Sequence, residues 1–237
     1  MVEAAAEPSR HAWPEGRRAE QLWMPDLPTK PWYESREFEW ASRLEASAEA
    51  IAAECHAVTR RIDQLEYYLG AEANAHAAPI GSDGLLPPSR GWTAFFLRRS
   101  GIWRRDNCAL CPVTTAALRE LPLSAGDVMF SVLAPRSKID PHHGLNNLDL
   151  TCHLGIDLPQ DCALEVGGET RSWEPGRLSI FDDTYRHAAW NRSDRPRRVL
   201  LCDFWNPDLS AVERVQLKRA LPLLFTPSRD ANTVSPE

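Results

Sequence analysis

The 237-residue chain has no apolar run near the ~20 residues that a membrane-spanning helix needs. Its first residues, MVEAAAEPSRHAWPEG, carry acids and prolines and lack the apolar core of a secretory signal. A soluble, cytoplasmic protein is the expectation. Cysteine is sparse: Cys55, Cys108, Cys111, Cys152, Cys162 and Cys202 are too few for a disulfide scaffold in a chain of this length. Cys108-x-x-Cys111 has the spacing of half a zinc site or a redox pair, but no second pair and no nearby His pair completes it. Positive charge is also short. Lys and Arg total 27 against 33 Asp and Glu, a formal net charge of -6. That argues against a nucleic-acid partner, because phosphate backbones reward clustered Lys and Arg. The short groups Arg98-Arg99, Arg104-Arg105 and Arg195 to Arg198 read as solvated surface. No internal repeat is evident.

What is present suits a globular domain: 43% hydrophobic and 25% charged residues. Residues 1–20 are polar and contain proline, and read as a poorly ordered start. Residues 21–237 read as one domain, in which 21–90 hold a strap, a helix and a loop, 91–209 a β core and 210–222 a C-terminal helix. The strap, Leu22 to Trp32, alternates Pro25, Pro28 and Pro31 with Trp23 and Trp32, so its aromatics are expected to cover a sheet. Trp40, Leu44, Ile51, Cys55, Val58, Ile62 and Leu65 then recur at helical spacing and read as a core-facing stripe. Gly81, Gly84 and Pro87-Pro88 mark a loop over 71–90.

Beyond residue 90 the period changes. Trp92–Leu97, Asp127–Leu133, Leu148–Ile156, Ala163–Val166, Arg177–Phe181, Ala188–Asn191 and Arg198–Trp205 read as short strands between turn residues, with a short helix over Pro112–Leu121. Such a series predicts a mainly β sandwich or jelly roll. Ser210-x-x-Glu213 is a capping box that starts the last helix.

Among the histidines, His142, in Pro141-His142-His143-Gly144, follows a strand and a polar turn. His187 stands at the mouth of another strand, after Phe181-Asp182-Asp183-Thr184-Tyr185. Neutral imidazole is a common ligand for iron, zinc, copper and nickel. The usual non-haem iron pattern has a carboxylate two residues after the first histidine. Here that position is Gly144, so spacing alone leaves a metal site and two ordinary histidines equally open.

Five segments taken together are more specific. Ser131-Val132-Leu133, His142-x-Gly144-x-x-Asn147, His153-Leu154-Gly155, Phe181-Asp182-Asp183-x-x-x-His187 and the stretch from Arg197 through Asp203-x-Trp205-x-Pro207 resemble, in order, the aspartyl/asparaginyl β-hydroxylase family. The resemblance runs from Gly91 to Leu209, with a weaker echo at Leu27-Pro28-x-x-Pro31-Trp32. It implies a double-stranded β-helix (a cupin-like jelly roll) with flanking N- and C-terminal helices. It also implies a dioxygenase that uses iron(II), 2-oxoglutarate and O2 to hydroxylate an unactivated C–H bond. Carried over position by position, His142 and His187 are the iron ligands, and Gly144 marks a missing carboxylate. Arg197 and Ser131 hold the distal carboxylate of 2-oxoglutarate, and His153 lies near its other end. Asp182 and Asp183 fall to turn and orienting roles. A one-residue slip would exchange Arg197 for Arg198.

The departures from the family concern the substrate. Where members often carry arginines, this chain has Thr151 and Asp149, on the same strand face as His153. A carboxylate substrate would be repelled there and an amine, guanidinium or hydroxyl tolerated. Amino-acid-like, peptidyl or natural-product substrates all remain open, and the lack of a membrane anchor weighs mildly against the lipid-hydroxylating branch. Two other functions stay open: a halogenase of the same cofactor class, and a non-catalytic cupin-like binding or sensing domain. Oligomeric state is not legible.

Overall fold

The structure is a computed structural model that describes residues 3–4, 16–60, 65–70, 80 and 82–224. Its strands in chain order are β1 (Glu3–Ala4), β2 (Leu22–Trp23), β3 (Trp32–Tyr33), β4 (Glu66–Tyr67), β5 (Trp92–Arg99), β6 (Ile102–Trp103) and β7 (Leu123–Leu133). There follow β8 (Ser137–His142), β9 (Asp149–Asp157), β10 (Cys162–Val166), β11 (Glu169–Arg171), β12 (Leu178–Phe181), β13 (His187–Asn191) and β14 (Arg197–Trp205). The helices are α1 (Ala41–Ala46), α2 (Ala48–Thr59), α3 (Pro88–Gly91), α4 (Arg105–Leu110), α5 (Pro112–Arg119) and α6 (Ala211–Leu224).

A large sheet runs β3-β12-β9-β14-β7-β5-β4 with β6 added on β5, and a four-stranded sheet runs β11-β10-β13-β8. All the pairings are antiparallel. Period-two alternation sorts the side chains of the large sheet. Trp92, Ala94, Phe96, Met129, Leu133 and Val199 turn inward to meet Ile139, Leu164, Val166 and Ala189 of the small sheet. Phe95, Leu97, Val128, Phe130, Cys152, Leu154, Leu200 and Cys202 turn outward against Leu44, Ile51, Cys55 and Val58 of α1 and α2. Both faces are therefore buried, and the inward core is the inside of the jelly roll that the sequence predicts. The strap covers one end, where Trp32 packs on Phe181 with ring centroids 5.8 Å apart.

The expected helix over Trp40–Leu65 is divided at Ser47, and α2 closes at Thr59. Residues 61–64, Ile62 among them, lie outside the described residues, as do Trp13 and most of the loop at 71–81. The poorly ordered start was expected through residue 20. Residues 5–15 lie outside the described part, but Arg17 and Ala19 are buried. β8 was not foreseen as a strand. Ser137-Lys138-Ile139-Asp140-Pro141-His142 has one large apolar side chain and a proline, a composition that an edge strand tolerates and that hides it from a pattern search. α4 was also missed. The Ser210 capping box forms: the Ser210 backbone N–H donates to the Glu213 carboxylate at 2.7 Å, and the Glu213 N–H to Ser210 Oγ at 3.2 Å. All six cysteines are buried free thiols, Cys108 and Cys111 included.

Candidate active site

β8 and β13 pair with His142 directly opposite His187, at a point where the register shifts by a bulge. The imidazole centroids are 4.0 Å apart. Each ring is oriented by a backbone carbonyl two residues upstream. His142 Nδ1 lies 2.8 Å from the Asp140 oxygen, and His187 Nδ1 lies 3.0 Å from the Tyr185 oxygen. A carbonyl only accepts, so each Nδ1 carries the proton and each Nε2 keeps a free lone pair. Burial pushes both imidazoles down in pKa, His187 to about 3, where the neighbouring His142 adds to the effect. The pair is thus two neutral donors, the form a metal takes. Among the described residues no group of three or more His, Cys, Asp or Glu side chains is arranged to hold a metal.

Gly144 follows His142 by two residues. A Cβ placed there would overlap the carboxylate of Asp183, and the Gly144 N–H donates to the Asp183 backbone oxygen at 2.8 Å. The space that a side chain at 144 would take is already held by a carboxylate from the β12–β13 turn. Asp183 Oδ1 is buried without a hydrogen-bond partner. Burial, with Asp149 and Asp203 nearby, holds its carboxyl well above the usual range. Asp182 next to it has partners: it forms an ion pair with buried Arg17 at 2.9 Å, and it accepts from the Thr29 hydroxyl and from the Thr184 N–H. This ties the strap to the turn that delivers His187.

His142 and His187 open into a cavity of about 100 Å³ whose lining includes Ser131, Thr151, His153, Asp183, Arg197 and Asp203. Arg197 is 1% exposed, and among the described residues no carboxylate pairs with it. Its Nη1 donates to Ser131 Oγ at 3.4 Å, its guanidinium lies 4.9 Å from the Trp173 ring centroid, and its Nε has no partner. Burial draws its pKa down to about 10. Arg198 takes the opposite face, bonded to Thr59 and Asp157. Trp173 Nε1 donates to His153 Nδ1 at 3.1 Å, which puts the His153 proton on Nε2, and that atom too is buried without a partner. Burial and Arg197 hold His153 neutral, well below the usual imidazole range.

The structure thus brings His142, His187, Ser131, His153, Arg197 and Thr151 to one cavity. Asp149 does not reach it. Its Oδ2 accepts from Ser124 Oγ at 2.8 Å, and burial pushes its carboxyl up to about 7. The acids that line the cavity are Asp183 and Asp203, and Asp203 accepts from the Thr151 hydroxyl at 3.1 Å. Counting by twos from Arg197 along β14 reaches Leu201 and Asp203, so Asp203 was findable by strand period. Tyr68 and Trp173, which arrive from segments between strands, had no such signal.

A jelly roll with paired histidines at an inner edge and, in the same cavity, a buried arginine without a counter-charge is the class of protein seen here. A sequence profile described as aspartyl/asparaginyl beta-hydroxylase matches residues 45–207, and the chain belongs to that family. It is 33% identical over 226 residues to human aspartate beta-hydroxylase domain-containing protein 2, covering 91% of this chain and 57% of the relative. It is 32% identical over 204 residues to the ornithine lipid ester-linked acyl 2-hydroxylase of Rhizobium tropici, covering 85% of this chain and 69% of the relative. The chain therefore spans little more than half the length of the human relative. A solved Pseudomonas putida prolyl-4-hydroxylase superposes with a TM-score of 0.40 at 15% identity, covering 68% of this chain and 88% of that one.

Proposed function

We propose that this chain is an iron(II)- and 2-oxoglutarate-dependent dioxygenase that hydroxylates an unactivated C–H bond. The observation that carries the reading is Arg197. A guanidinium buried without a counter-charge is costly, and it calls for an anion to share its cavity. A dicarboxylate that accepts from Arg197 and Ser131 would satisfy it, with the orphaned His153 Nε2–H available near the other end of the same molecule. The donor set fits iron(II) as well: His142 and His187 would hold it through their free Nε2 atoms. Bound iron(II) with 2-oxoglutarate supplies the oxidising chemistry, in which O2 is consumed, succinate and CO2 are released and a hydroxyl is delivered to carbon.

The protein's own part is placement. The carbonyl bonds to Nδ1 fix both imidazoles, and the apolar walls from Trp92, Phe181 and Leu164 limit water around the reacting carbon. Chloride-dependent product formation would separate the halogenase alternative from hydroxylation.

For the substrate, the acidic preference first read at Asp149 moves to Asp203 and Asp183. Burial keeps both protonated. They can share hydrogen bonds with a substrate hydroxyl, and a substrate amine would draw off a proton and pair with the carboxylate left behind. Amino-acid-like, peptidyl and natural-product substrates stay in range, and the name of the R. tropici relative adds the acyl chain of an amino-acid-headed lipid.

The test is succinate formation by protein loaded anaerobically with iron(II) and 2-oxoglutarate and then given O2, with a panel of amines, peptides, ornithine lipid and cell extract. Succinate from the wild type and none from His142→Ala or His187→Ala is the expected result. Absence of succinate together with absence of iron and 2-oxoglutarate binding would replace this reading with the non-catalytic one.

A further inference from the structure

The sequence contains three short arginine groups that read alike as solvated surface, but the structure separates them. Arg99 and Arg104 both pair with Glu66, at 3.0 and 3.1 Å. Arg98 does not join them. It is 7% exposed, its Nη1 reaches only the Gly126 carbonyl at 3.4 Å, and its Nε has no partner. It lines a second cleft, of about 320 Å³, apart from the histidine cavity. Arg119, Arg214 and Lys218 share that cleft, and no acidic side chain is among the described residues that line it. In a chain of net charge -6 this is a local reversal of sign.

The cleft is not uniformly polar. Trp103 and Trp205 line it with Leu121, Leu123 and Val215. The guanidinium groups of Arg98 and Arg119 lie 5.9 and 5.7 Å from the Trp103 ring centroid, within cation–π range. Arg214 Nη2 donates to the carbonyls of Asn206 and Pro207 at 3.3 and 3.0 Å, while its Nε is buried and unpartnered. Two of the six buried side-chain polar atoms without a partner among the described residues, Arg98 Nε and Arg214 Nε, therefore belong to arginines that line this one cleft. The carboxylates of Asp203 and Asp127 act on Arg98 electrostatically, against the burial that lowers its pKa, but neither forms an ion pair with it.

We propose that this cleft binds a small amphipathic anion: a sulfonate, phosphate or carboxylate head held by Arg98, Arg119, Arg214 and Lys218, with an apolar body on Trp103 and Trp205. Its volume lies at the lower end of small-molecule sites, roughly 300–1,000 Å³. An inorganic anion would leave the tryptophan half unused, and an apolar molecule would leave the arginines unpaired. The proposal does not rest on the catalytic reading.

The test uses the full chain and 8-anilinonaphthalene-1-sulfonate as the probe, followed by fluorescence. Saturable binding with a stoichiometry near one is expected, weakened at least tenfold in the double variant Arg119→Glu, Lys218→Glu, both exposed positions, and unchanged in Arg43→Glu as the charge control. Octyl phosphate should displace the probe, while octyltrimethylammonium should not, and inorganic phosphate should do so far more weakly. Co-sedimentation with phosphatidylglycerol vesicles, against phosphatidylcholine vesicles, tells the sources apart. Vesicle binding that is lost in the double variant places the anion in a membrane, and probe displacement without vesicle binding makes it a free molecule. Binding that does not saturate, that survives the charge reversal, or that yields equally to the cationic amphiphile would overturn the proposal.

Discussion

The carboxylate of Asp183 occupies the volume into which any side chain at Gly144 would grow. The glycine two residues after His142 is therefore a packing requirement. Gly144→Ala should destabilise the metal-free protein by about 1–3 kcal/mol through overpacking. The double variant Gly144→Ala, Asp183→Gly should recover most of that loss but bind iron(II) more weakly than the wild type. Thermal unfolding and an anaerobic iron titration check both halves. If the two substitutions simply add, the overlap is not the reason for the glycine.

Arg197 is predicted to weaken the empty protein and strengthen the loaded one. Arg197→Met removes a buried charge without a partner, so the metal-free variant should melt a few degrees higher, at about 2–4 °C per kcal/mol for a domain of this size. In the wild type, 2-oxoglutarate at about 100 times its Kd should add about 2.7 kcal/mol of stability. The variant should show no such shift. A variant that keeps the shift would remove Arg197 from cosubstrate binding.

The Arg17–Asp182 pair is buried on both sides, at 3% and 1% side-chain exposure. Arg17→Met leaves Asp182 buried with only its neutral donors, and should cost about 3–5 kcal/mol. The double variant Arg17→Met, Asp182→Asn should cost less than the sum of the two single changes. Because the same turn delivers His187, iron affinity should fall along with stability in Arg17→Met. Chemical denaturation and iron titration of all three variants test this.

Asp203 sets a dependence on pH. Burial and the neighbouring Asp149 raise its carboxyl well above the ordinary value, so between that value and its folded pKa the native state holds a proton that the unfolded state has released. The stability it contributes is full at pH values below the ordinary carboxylate pKa, and is lost as pH rises through the folded pKa. Asp203→Asn lacks this loss. Its stability relative to wild type should improve as pH rises above the ordinary carboxylate pKa and level off above the folded one, as read by denaturant midpoints at each pH. A constant difference would mean that Asp203 is ionised throughout.

The long strands of the large sheet were legible as apolar runs, whereas its two-residue strands β3, β4 and β6 were too short to show a pattern. β5, β7, β9 and β14 carry apolar side chains on the helix-facing side at every second residue, and turn residues end them. β8 was illegible for the opposite reason: an edge strand with a lysine, an aspartate and a proline carries no period to read. The split of the long helix at Ser47 was also hidden, since Leu44 and Ile51 keep helical spacing across the break.

For the site, sequence alone determined the residue types and their order along the chain: two histidines separated by a glycine-marked gap and an aspartate pair, then an arginine pair on a strand. The tertiary structure decided the rest. Strand register set His142 against His187, and strand parity chose Arg197 over Arg198 for the interior. A hydrogen bond from Ser124 turned Asp149 away and left Asp203 and Asp183 as the cavity's acids. Side-chain partners across a sheet depend on register and bulges, which are set by how whole strands pack, and no local pattern in the chain encodes them.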